Sequence, residues 1–127
     1  MSAIARALQD ERVVAEVRAQ FDAYETALLA NDVEALDGFF WSSDQAVRYG
    51  IAETLYGAEE IAAYRRGVLR GAWERELTRV EIRTFGNDVA VVAAEWSWEQ
   101  QSGRQTQTWV RLPEGWRVVC GHVSLVP

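Results

Sequence analysis

Residues 89–125 decide the fold and read VAVVAAEWSWEQQSGRQTQTWVRLPEGWRVVCGHVSL. Apolar and β-branched runs alternate here with short polar segments that contain glycine or proline, a pattern typical of antiparallel strands joined by tight turns. We predict strands over Val89–Trp98, Arg104–Leu112 and Trp116–Leu125, with turns at Ser102–Gly103 and Pro113–Gly115. These three strands would form most of a β meander.

The segment before them supplies further strands. Leu77–Phe85 alternates between apolar and charged side chains, and the turn signal Gly86-Asn87-Asp88 joins it to Val89. Further upstream, Ala46–Gly50 reads as a short strand, and Thr54–Tyr56 is its expected return partner. The C-terminal half is therefore predicted to be a meander of four long strands.

The N-terminal half has helical periodicity. Over Glu11–Ala30, apolar residues recur every three or four positions, which predicts one buried helix face. Asn31-Asp32 is expected to cap a second, short helix, and Gly57 to open a third that ends near Leu69. We predict a single α+β domain over residues 1–127, with residues 1–10 loosely ordered. Three N-terminal helices would pack on a strongly bent antiparallel sheet made of the four-stranded meander and a short early strand.

Composition excludes several classes of function. All thirteen basic residues are arginine, and the chain has one histidine, His122, and one cysteine, Cys120. Schiff-base chemistry and a lysine-containing phosphate loop are excluded, as are a Cys/His zinc site and a disulfide framework. A net charge of −6 argues against a nucleic-acid partner. No apolar run approaches the roughly 18 residues of a membrane helix. We expect a cytoplasmic protein with no metal or other cofactor and no membrane partner.

Two residues of the N-terminal half are candidates for chemistry in a pocket between helix and sheet. Tyr24 lies on the apolar stripe of the first helix, so its ring should be buried while its hydroxyl needs a partner. Arg48 lies between Val47 and Tyr49, and alternation places it on the opposite face of the strand. Arg48 is solvated if those neighbours pack in the core, and it points into the pocket if the pocket opens on its own side.

The last strand carries polar groups at its end. Simple alternation places Cys120, His122 and Ser124 on one face with Trp116 and Val118. That face would run from core to pocket, with His122 either a satisfied core histidine or a ligand-binding group. Cys120 is not expected to be a nucleophile, because no base or helix terminus can be placed beside it.

The third helix and the middle strands add weaker candidates. Arg65 borders the stripe that Ile61, Tyr64 and Val68 would bury, whereas Arg66 is expected to be solvated. Two further pairs of candidates lie on the middle strands. Gln105 and Gln107 lie on one face of their strand, and Trp96 and Trp98 lie on one face of theirs. The glutamines would orient an amide or carboxylate if their face is the inner one and would be ordinary surface otherwise. The tryptophans favour a dimer interface.

Several segments together resemble a known family. They are Phe40-Trp41, Val47-Arg48-Tyr49-Gly50, Glu53-x-Leu55-Tyr56-Gly57, Thr84-Phe85-Gly86, the run Gly103–Val110, and Glu114–Arg117 with His122-Val123-Ser124. With the order of helices and strands, they resemble the NTF2-like (cystatin-like, SnoaL-like) superfamily, and within it the AtzH-like or HpxZ-like group associated with oxalurate and s-triazine breakdown. The resemblance covers nearly the whole chain from about Val13.

The resemblance implies a cone-shaped pocket, a homodimer through the sheet face and a small anionic organic substrate. It also implies decarboxylating hydrolysis of amide bonds in carboxylated ureas, with Tyr24 and Arg48 as the catalytic pair. Many members of the superfamily have two histidines in the last strand, and Cys120 stands at the first of these places. That departure weakens a dehydratase or isomerase interpretation and leaves the Tyr24 and Arg48 pair untouched.

The leading interpretation is a small-molecule amide hydrolase acting on an oxalurate-like or carboxyurea-like acid in ring-nitrogen catabolism. Tyr24 and Arg48 would be catalytic, and the substrate-binding residues would be Arg65, Gln107, His122 and Ser124. One alternative is an accessory or ligand-binding protein without turnover. The other is an isomerase or dehydratase of the same fold, in which Glu53 or Glu95 would be the acid/base partner of Tyr24.

Overall fold

The computed structural model describes residues 9–68 and 74–127. Its helices are α1 (Glu11–Ala30), α2 (Val33–Phe39) and α3 (Ala58–Gly67), and its strands are β1 (Val47–Tyr49), β2 (Thr54–Tyr56), β3 (Glu76–Phe85), β4 (Val89–Trp98), β5 (Gln101–Leu112) and β6 (Gly115–Leu125). The predicted α+β class and the order of elements are confirmed. Residues 1–8 of the segment predicted to be loosely ordered, and the predicted end of the third helix at Leu69, lie outside the described residues.

The first helix begins and ends at residues suited to those positions. The Asp10 carboxylate accepts the amide hydrogen of Arg12 and so satisfies one of the free N–H groups of the first turn. The chain leaves α1 through Asn31, which adopts the left-handed conformation with φ of 54°. Asp32 then caps α2 by accepting a hydrogen bond from the Ala35 amide. Asn31 therefore ends α1 and Asp32 begins α2, as the sequence indicated.

The strands form one sheet in the order β2-β1-β6-β5-β4-β3. The four long strands are antiparallel neighbours, and β1 and β2 extend the sheet beyond β6. β1 runs parallel to β6, so the expectation of a purely antiparallel sheet is wrong at this edge. The chain reaches β1 through α2 and a loop rather than through a hairpin, which leaves it free to enter the sheet in either direction.

One predicted turn is wrong. β5 begins at Gln101, so Ser102 and Gly103 lie within the strand, and the β4–β5 turn is formed at Glu99-Gln100 with Glu99 at φ of 54°. Gly103 lies directly opposite Trp96, and a Cβ built at this glycine would overlap the indole ring. The glycine is there to admit the ring and does not turn the chain. Trp96 is buried as a result, which contradicts its expected place in a dimer interface.

A β-bulge changes the faces of the last strand. Trp109 pairs with Val118 while the adjacent Thr108 pairs with Cys120, so Val119 is an extra residue in β6. One inserted residue reverses the alternation beyond it. Gly121 and Val123 therefore face inward, and Cys120 and His122 face outward. The prediction that Cys120, His122 and Ser124 share a face with Trp116 and Val118 is wrong for this reason.

The core lies between α1 and the inner face of the sheet. Val17, Phe21 and Leu36 from the helices pack there with Val92 and Trp109 from the strands. None of the helices in the described ranges is long and apolar enough to cross a membrane.

Candidate active site

A cavity between the helices and the inner face of the sheet has two adjoining lobes of about 180 and 60 Å³. Both lobes are lined by Tyr24, Leu28, Arg48 and Tyr64. The larger lobe is also lined by Ile51, Glu53, Arg75, Gln105 and Val123, and the smaller lobe by Asn31, Leu36, Arg65 and Val68. Pockets for drug-sized molecules begin at about 300 Å³, so this cavity suits a smaller ligand.

Tyr24 is held by aromatic contacts on several sides. Its ring centroid lies 5.9 Å from that of Phe39 and 6.3 Å from that of Trp109, both edge to face, and 6.4 Å from that of Phe40. The residue is 5% exposed, as its place on the apolar stripe predicted. Within the described part of the chain its hydroxyl makes no hydrogen bond, so a rigidly held phenol is left available to a ligand in the cavity.

Arg48 faces the cavity, which settles the alternative that the sequence left open. It pairs with Gly121 of β6 on one side and with Leu55 of β2 on the other, all three on the inner face. Val47 and Tyr49 therefore point to the outer face. The side chain of Arg48 is 19% exposed, and its Cζ lies 5.6 Å from the centre of the Tyr64 ring.

Glu53 holds the Arg48 guanidinium in place. Arg48 Nη1 donates to Glu53 Oε1 at 2.7 Å, while the Ala52 amide donates to the other carboxylate oxygen at 3.2 Å. Tyr64 is hydrogen-bonded to the same carboxylate. Burial by itself raises the pKa of the Glu53 carboxyl, but these hydrogen bonds and the Arg48 charge outweigh it and hold the pKa below its usual value. Glu53 is therefore an anion that orients Arg48 at neutral pH.

Arg65 supplies a buried cation that has no ionic partner among the described residues. The residue is 9% exposed, and its guanidinium carbon lies 4.7 Å from the centre of the Phe40 ring. Its Nε and Nη2 atoms are buried and make no hydrogen bond to any residue of the two described ranges. The sequence placed Arg65 at the border of the buried stripe and Tyr64 within it. The structure reverses them, because Tyr64 is 36% exposed.

Two glutamines on β5 have different surroundings. Both are 4% exposed on the inner face, which is the face that the sequence left undecided. Gln107 accepts a hydrogen bond from Trp109 Nε1 at 3.0 Å and does not line either lobe. Gln105 lines the larger lobe, and its buried Nε2 has no partner in the part of the chain that the structure describes. The glutamine with a free donor facing the cavity is therefore Gln105 and not the predicted Gln107.

An ion pair forms part of the wall of the larger lobe. Arg75 donates from Nε and Nη2 to the two carboxylate oxygens of Glu25, at 2.9 and 2.6 Å. The Arg75 side chain is 1% exposed, and its Cζ lies 5.3 Å from the Trp96 ring centre. Sequence reasoning missed this pair, although Glu25 follows Phe21 by four residues and so falls on the apolar stripe of α1. An acidic residue on such a stripe is the signal that would have found it.

His122 and Ser124 are not brought to the cavity. Both lie beyond the Val119 bulge, on the outer face, where His122 is opposite Thr106 and Ser124 is opposite Arg104. The His122 ring lies 5.7 Å from that of Tyr49, edge to face. The expected substrate-binding roles of His122 and Ser124 in this pocket are therefore wrong, because the bulge turns both side chains away.

The outer face of the sheet has a larger but more open groove, of about 360 Å³. It is lined mostly by alternating outward side chains, among them Arg79, Glu95 and Arg104. Glu95 therefore cannot serve as an acid/base partner of Tyr24. The inner cavity is lined by Tyr24 and Arg48 together with Arg65 and Gln105, two buried side chains with donors that have no partner among the described residues, and this is why the candidate active site is assigned there. Across residues 9–68 and 74–127, no cluster of three or more His, Cys, Asp or Glu side chains is placed to hold a metal ion.

Comparison with solved structures finds two close relatives. A protein of unknown function from the DUF3225 family of Pectobacterium atrosepticum is 44% identical, with a TM-score of 0.93 over 96% of this chain and 97% of that one. A cystatin-like fold protein from Burkholderia xenovorans is 43% identical, with a TM-score of 0.89 over 94% and 95% of the two chains. An NTF2-like superfamily protein from Salmonella enterica is 20% identical, with a TM-score of 0.80 over 92% and 93%, and supports the fold alone. No curated protein matches the chain.

The family assignment follows from the sequence itself. The model of the AtzH-like family matches residues 6–127, which is nearly the full length. The match includes both residues of the Tyr24 and Arg48 pair and every described residue that lines the cavity. The chain therefore belongs to the AtzH-like family, and its fold is the cystatin-like fold.

Proposed function

We propose that the chain is an amide hydrolase that acts on a small carboxylated urea or an oxalurate-like acid. The observation that carries the proposal is that Tyr24 and Arg48 line the same cavity, next to a carboxylate that orients the arginine. These are the two residues that the resemblance to the AtzH-like group indicated as a catalytic pair. The fold alone is weak support, because it hosts many different chemistries.

The chemistry assigns one task to each residue. The Arg48 guanidinium hydrogen-bonds the substrate carbonyl oxygen and stabilises the negative charge that develops on it as water attacks the carbonyl carbon. The Tyr24 hydroxyl gives its proton to the departing nitrogen and takes one from the attacking water, so that the phenol ends the cycle unchanged. One C–O bond forms and one C–N bond breaks. Glu53 holds the Arg48 guanidinium in position during both steps.

The experiment is an assay of the purified protein for ammonia and CO₂ release from oxalurate, allophanate and dicarboxyurea. Replacing Tyr24 with Phe keeps the contacts of its ring with four neighbouring aromatic rings and removes only the hydroxyl. We expect Tyr24→Phe and Arg48→Gln each to lower kcat by roughly 100- to 1000-fold, the usual cost of one preorganised catalytic group. The matched control is Tyr56→Phe. Tyr56 is exposed on the outer face of the sheet, so this variant should keep the wild-type kcat.

Three results would contradict the proposal. Near-full activity in Tyr24→Phe would remove the phenol from the mechanism. Thermal stabilisation by these acids, with no turnover by the wild-type protein, would indicate the ligand-binding alternative instead. Exchange of a substrate C–H hydrogen with deuterated solvent would indicate the isomerase alternative.

A further inference from the structure

The position of the Tyr24 ring is set by its contacts with other rings. Its hydroxyl makes no hydrogen bond in the described part of the chain, so no polar contact fixes the phenol there. Four aromatic rings have centroids 5.9 to 6.4 Å from that of Tyr24, namely those of Phe21, Phe39, Phe40 and Trp109. Three of the four are phenylalanines, which have no hydrogen-bonding group. Of these neighbours, only Trp109 can be oriented by a directional bond.

Gln107 supplies that bond. Trp109 Nε1 donates to Gln107 Oε1 at 3.0 Å. Trp109 is fully buried and Gln107 is 4% exposed, so bulk water does not compete for the indole N–H. Gln107 lines neither lobe of the cavity. Its bond to the indole, rather than a contact with a ligand, is therefore the role that the structure gives it.

The Trp109 indole contacts Tyr24 both directly and through Phe39. Trp109 and Tyr24 are edge to face, with an interplanar angle of 90°. Trp109 is also edge to face with Phe39, which is in turn edge to face with Tyr24. Because protein interiors are close-packed, a rotation of one ring in this closed set of three displaces the other two.

The backbone beside Trp109 has an interrupted ladder. The register between β5 and β6 shifts between Thr108 and Trp109, where Val119 is the extra residue of the bulge. A bulge disrupts strand pairing locally, so the backbone defines the direction of the Trp109 side chain less tightly here than in a regular strand. The hydrogen bond from the indole to Gln107 compensates for that loss.

We propose that Gln107 is a positioning residue, which fixes the Tyr24 phenol through the Trp109 indole. The proposal rests on the proposed function in taking Tyr24 as the group that transfers the proton. It replaces the substrate-binding role expected for Gln107. Loss of the bond should change kcat rather than KM, because the reacting hydroxyl is displaced while the contacts with the ligand are kept.

Two substitutions at Gln107 separate the acceptor from stability. Gln107→Leu removes the acceptor oxygen, whereas Gln107→Glu keeps an acceptor but buries a carboxyl group, which should lower the melting temperature further. We expect kcat to fall by roughly 10- to 100-fold in Gln107→Leu with KM little changed, since misplacement of about 1 Å costs roughly 100-fold in rate. Gln107→Glu should stay close to the wild-type kcat. A kcat that follows the melting temperature instead of the acceptor would overturn the proposal. Gln101→Leu, at the exposed start of β5, is the matched control and should keep the wild-type kcat.

A double variant tests the route through the phenol. If Gln107 acts by placing the Tyr24 hydroxyl, then adding Gln107→Leu to Tyr24→Phe should cause no further loss of kcat. Full multiplication of the two losses would show that Gln107 acts by another route.

Nuclear magnetic resonance gives a readout that needs no substrate. In protein whose tyrosines carry ¹³C at Cζ, the four tyrosines give four signals, and the signal missing from Tyr24→Phe belongs to Tyr24. We expect Gln107→Leu to shift or broaden this signal and to leave those of Tyr49 and Tyr56 in place, and Gln107→Glu to restore it. If Gln107→Leu does not fold, Gln107→Asn takes its place, because its amide is one methylene too short to reach the indole.

The two readouts separate this proposal from the proposed hydrolysis. A Tyr24 signal that moves in Gln107→Leu and returns in Gln107→Glu, in a protein that hydrolyses no amide, would overturn the hydrolysis and leave the positioning role standing. Hydrolysis that depends on Tyr24 while both kcat and the Tyr24 signal are unchanged in Gln107→Leu would do the reverse.

Discussion

Arg48 and Glu53 form a hydrogen-bonded ion pair in the wall of the larger lobe, with Nη1 and Oε1 2.7 Å apart and both side chains less than one-fifth exposed. Arg48 is the middle residue of the three-residue strand β1, and Glu53 lies in the loop between β1 and β2. Gly50 begins that loop, and a Cβ at this position would overlap the Glu53 carboxylate. The absence of a side chain at Gly50 is therefore what lets Glu53 reach Arg48.

Gly50→Ala should lower turnover without removing any catalytic group. The added methyl displaces the Glu53 carboxylate and with it Arg48, and misplacement of about 1 Å costs roughly 100-fold in rate. We expect the decrease to appear in kcat, measured by the assay of ammonia and CO₂ release described above. Gly38→Ala is the matched control, because a Cβ there meets nothing within 4 Å.

A double variant distinguishes positioning from a general loss of structure. If Gly50→Ala acts through Glu53, then adding Glu53→Gln should cause little further loss, whereas independent effects would multiply. Full multiplication of the two losses would refute the positioning role of Gly50.

The same ion pair predicts a loss of stability in acid. The pKa of Glu53 in the folded protein lies below its ordinary value of 4.5, so its stabilisation is complete above that value and is lost as the pH falls through the folded pKa. We expect the difference in free energy of unfolding between wild type and Glu53→Gln to be constant near neutral pH and to shrink below about pH 4.5. Urea unfolding at several pH values measures it. A difference that persists unchanged into strong acid would refute the assignment.

Glu25 and Arg75 should show a large coupling energy. Removing one partner leaves the other charge buried and unpaired, so Glu25→Leu or Arg75→Met alone should cost about 3–5 kcal/mol of unfolding free energy. The double variant should recover most of that loss, because two apolar side chains leave no buried charge. Urea unfolding of all four proteins completes the cycle. Single variants that each lose less than about 1 kcal/mol would show that the pair is not buried in solution.

The pattern of apolar residues was enough to predict the fold and not enough to predict the site. Periodicity of three to four residues found α1, and periodicity of two found the four long strands, because burial of one face dominates both elements. Tyr24 could be placed for the same reason. His122 could not, since the bulge at Val119 is a single inserted residue that is visible only in the pairing of β5 with β6.

The polar residues of the cavity expose a second limit of pattern reasoning. Gln105 and Gln107 lie on the same face and are equally buried, but Gln107 bonds to Trp109 whereas Gln105 lines the cavity. Arg48 and Arg65 differ likewise, in that Glu53 neutralises only the first. Such distinctions depend on contacts between elements distant in the chain, which alternation along one strand does not encode.

We predict that the protein forms a homodimer through the outer face of the sheet. In the described part of the chain the helices pack on the inner face, and the outer side chains of β3, β4 and β5 include both arginine and glutamate, among them Arg79, Glu81 and Glu95. A surface that carries both signs can pair with itself across a twofold axis. We expect the mass measured by light scattering to be about twice 14.3 kDa.

Ala93 is the position at which to break that dimer. It is exposed, lines the outer groove and lies opposite Thr106. Ala93→Glu adds a like charge beside Glu81 and Glu95 and should give monomers that stay folded, since the inner core is untouched. Arg18→Glu, on the exposed face of α1, is the matched control and should leave the dimer intact. A wild-type monomer at all concentrations would refute the dimer, and an Ala93→Glu dimer as tight as the wild type would place the interface elsewhere.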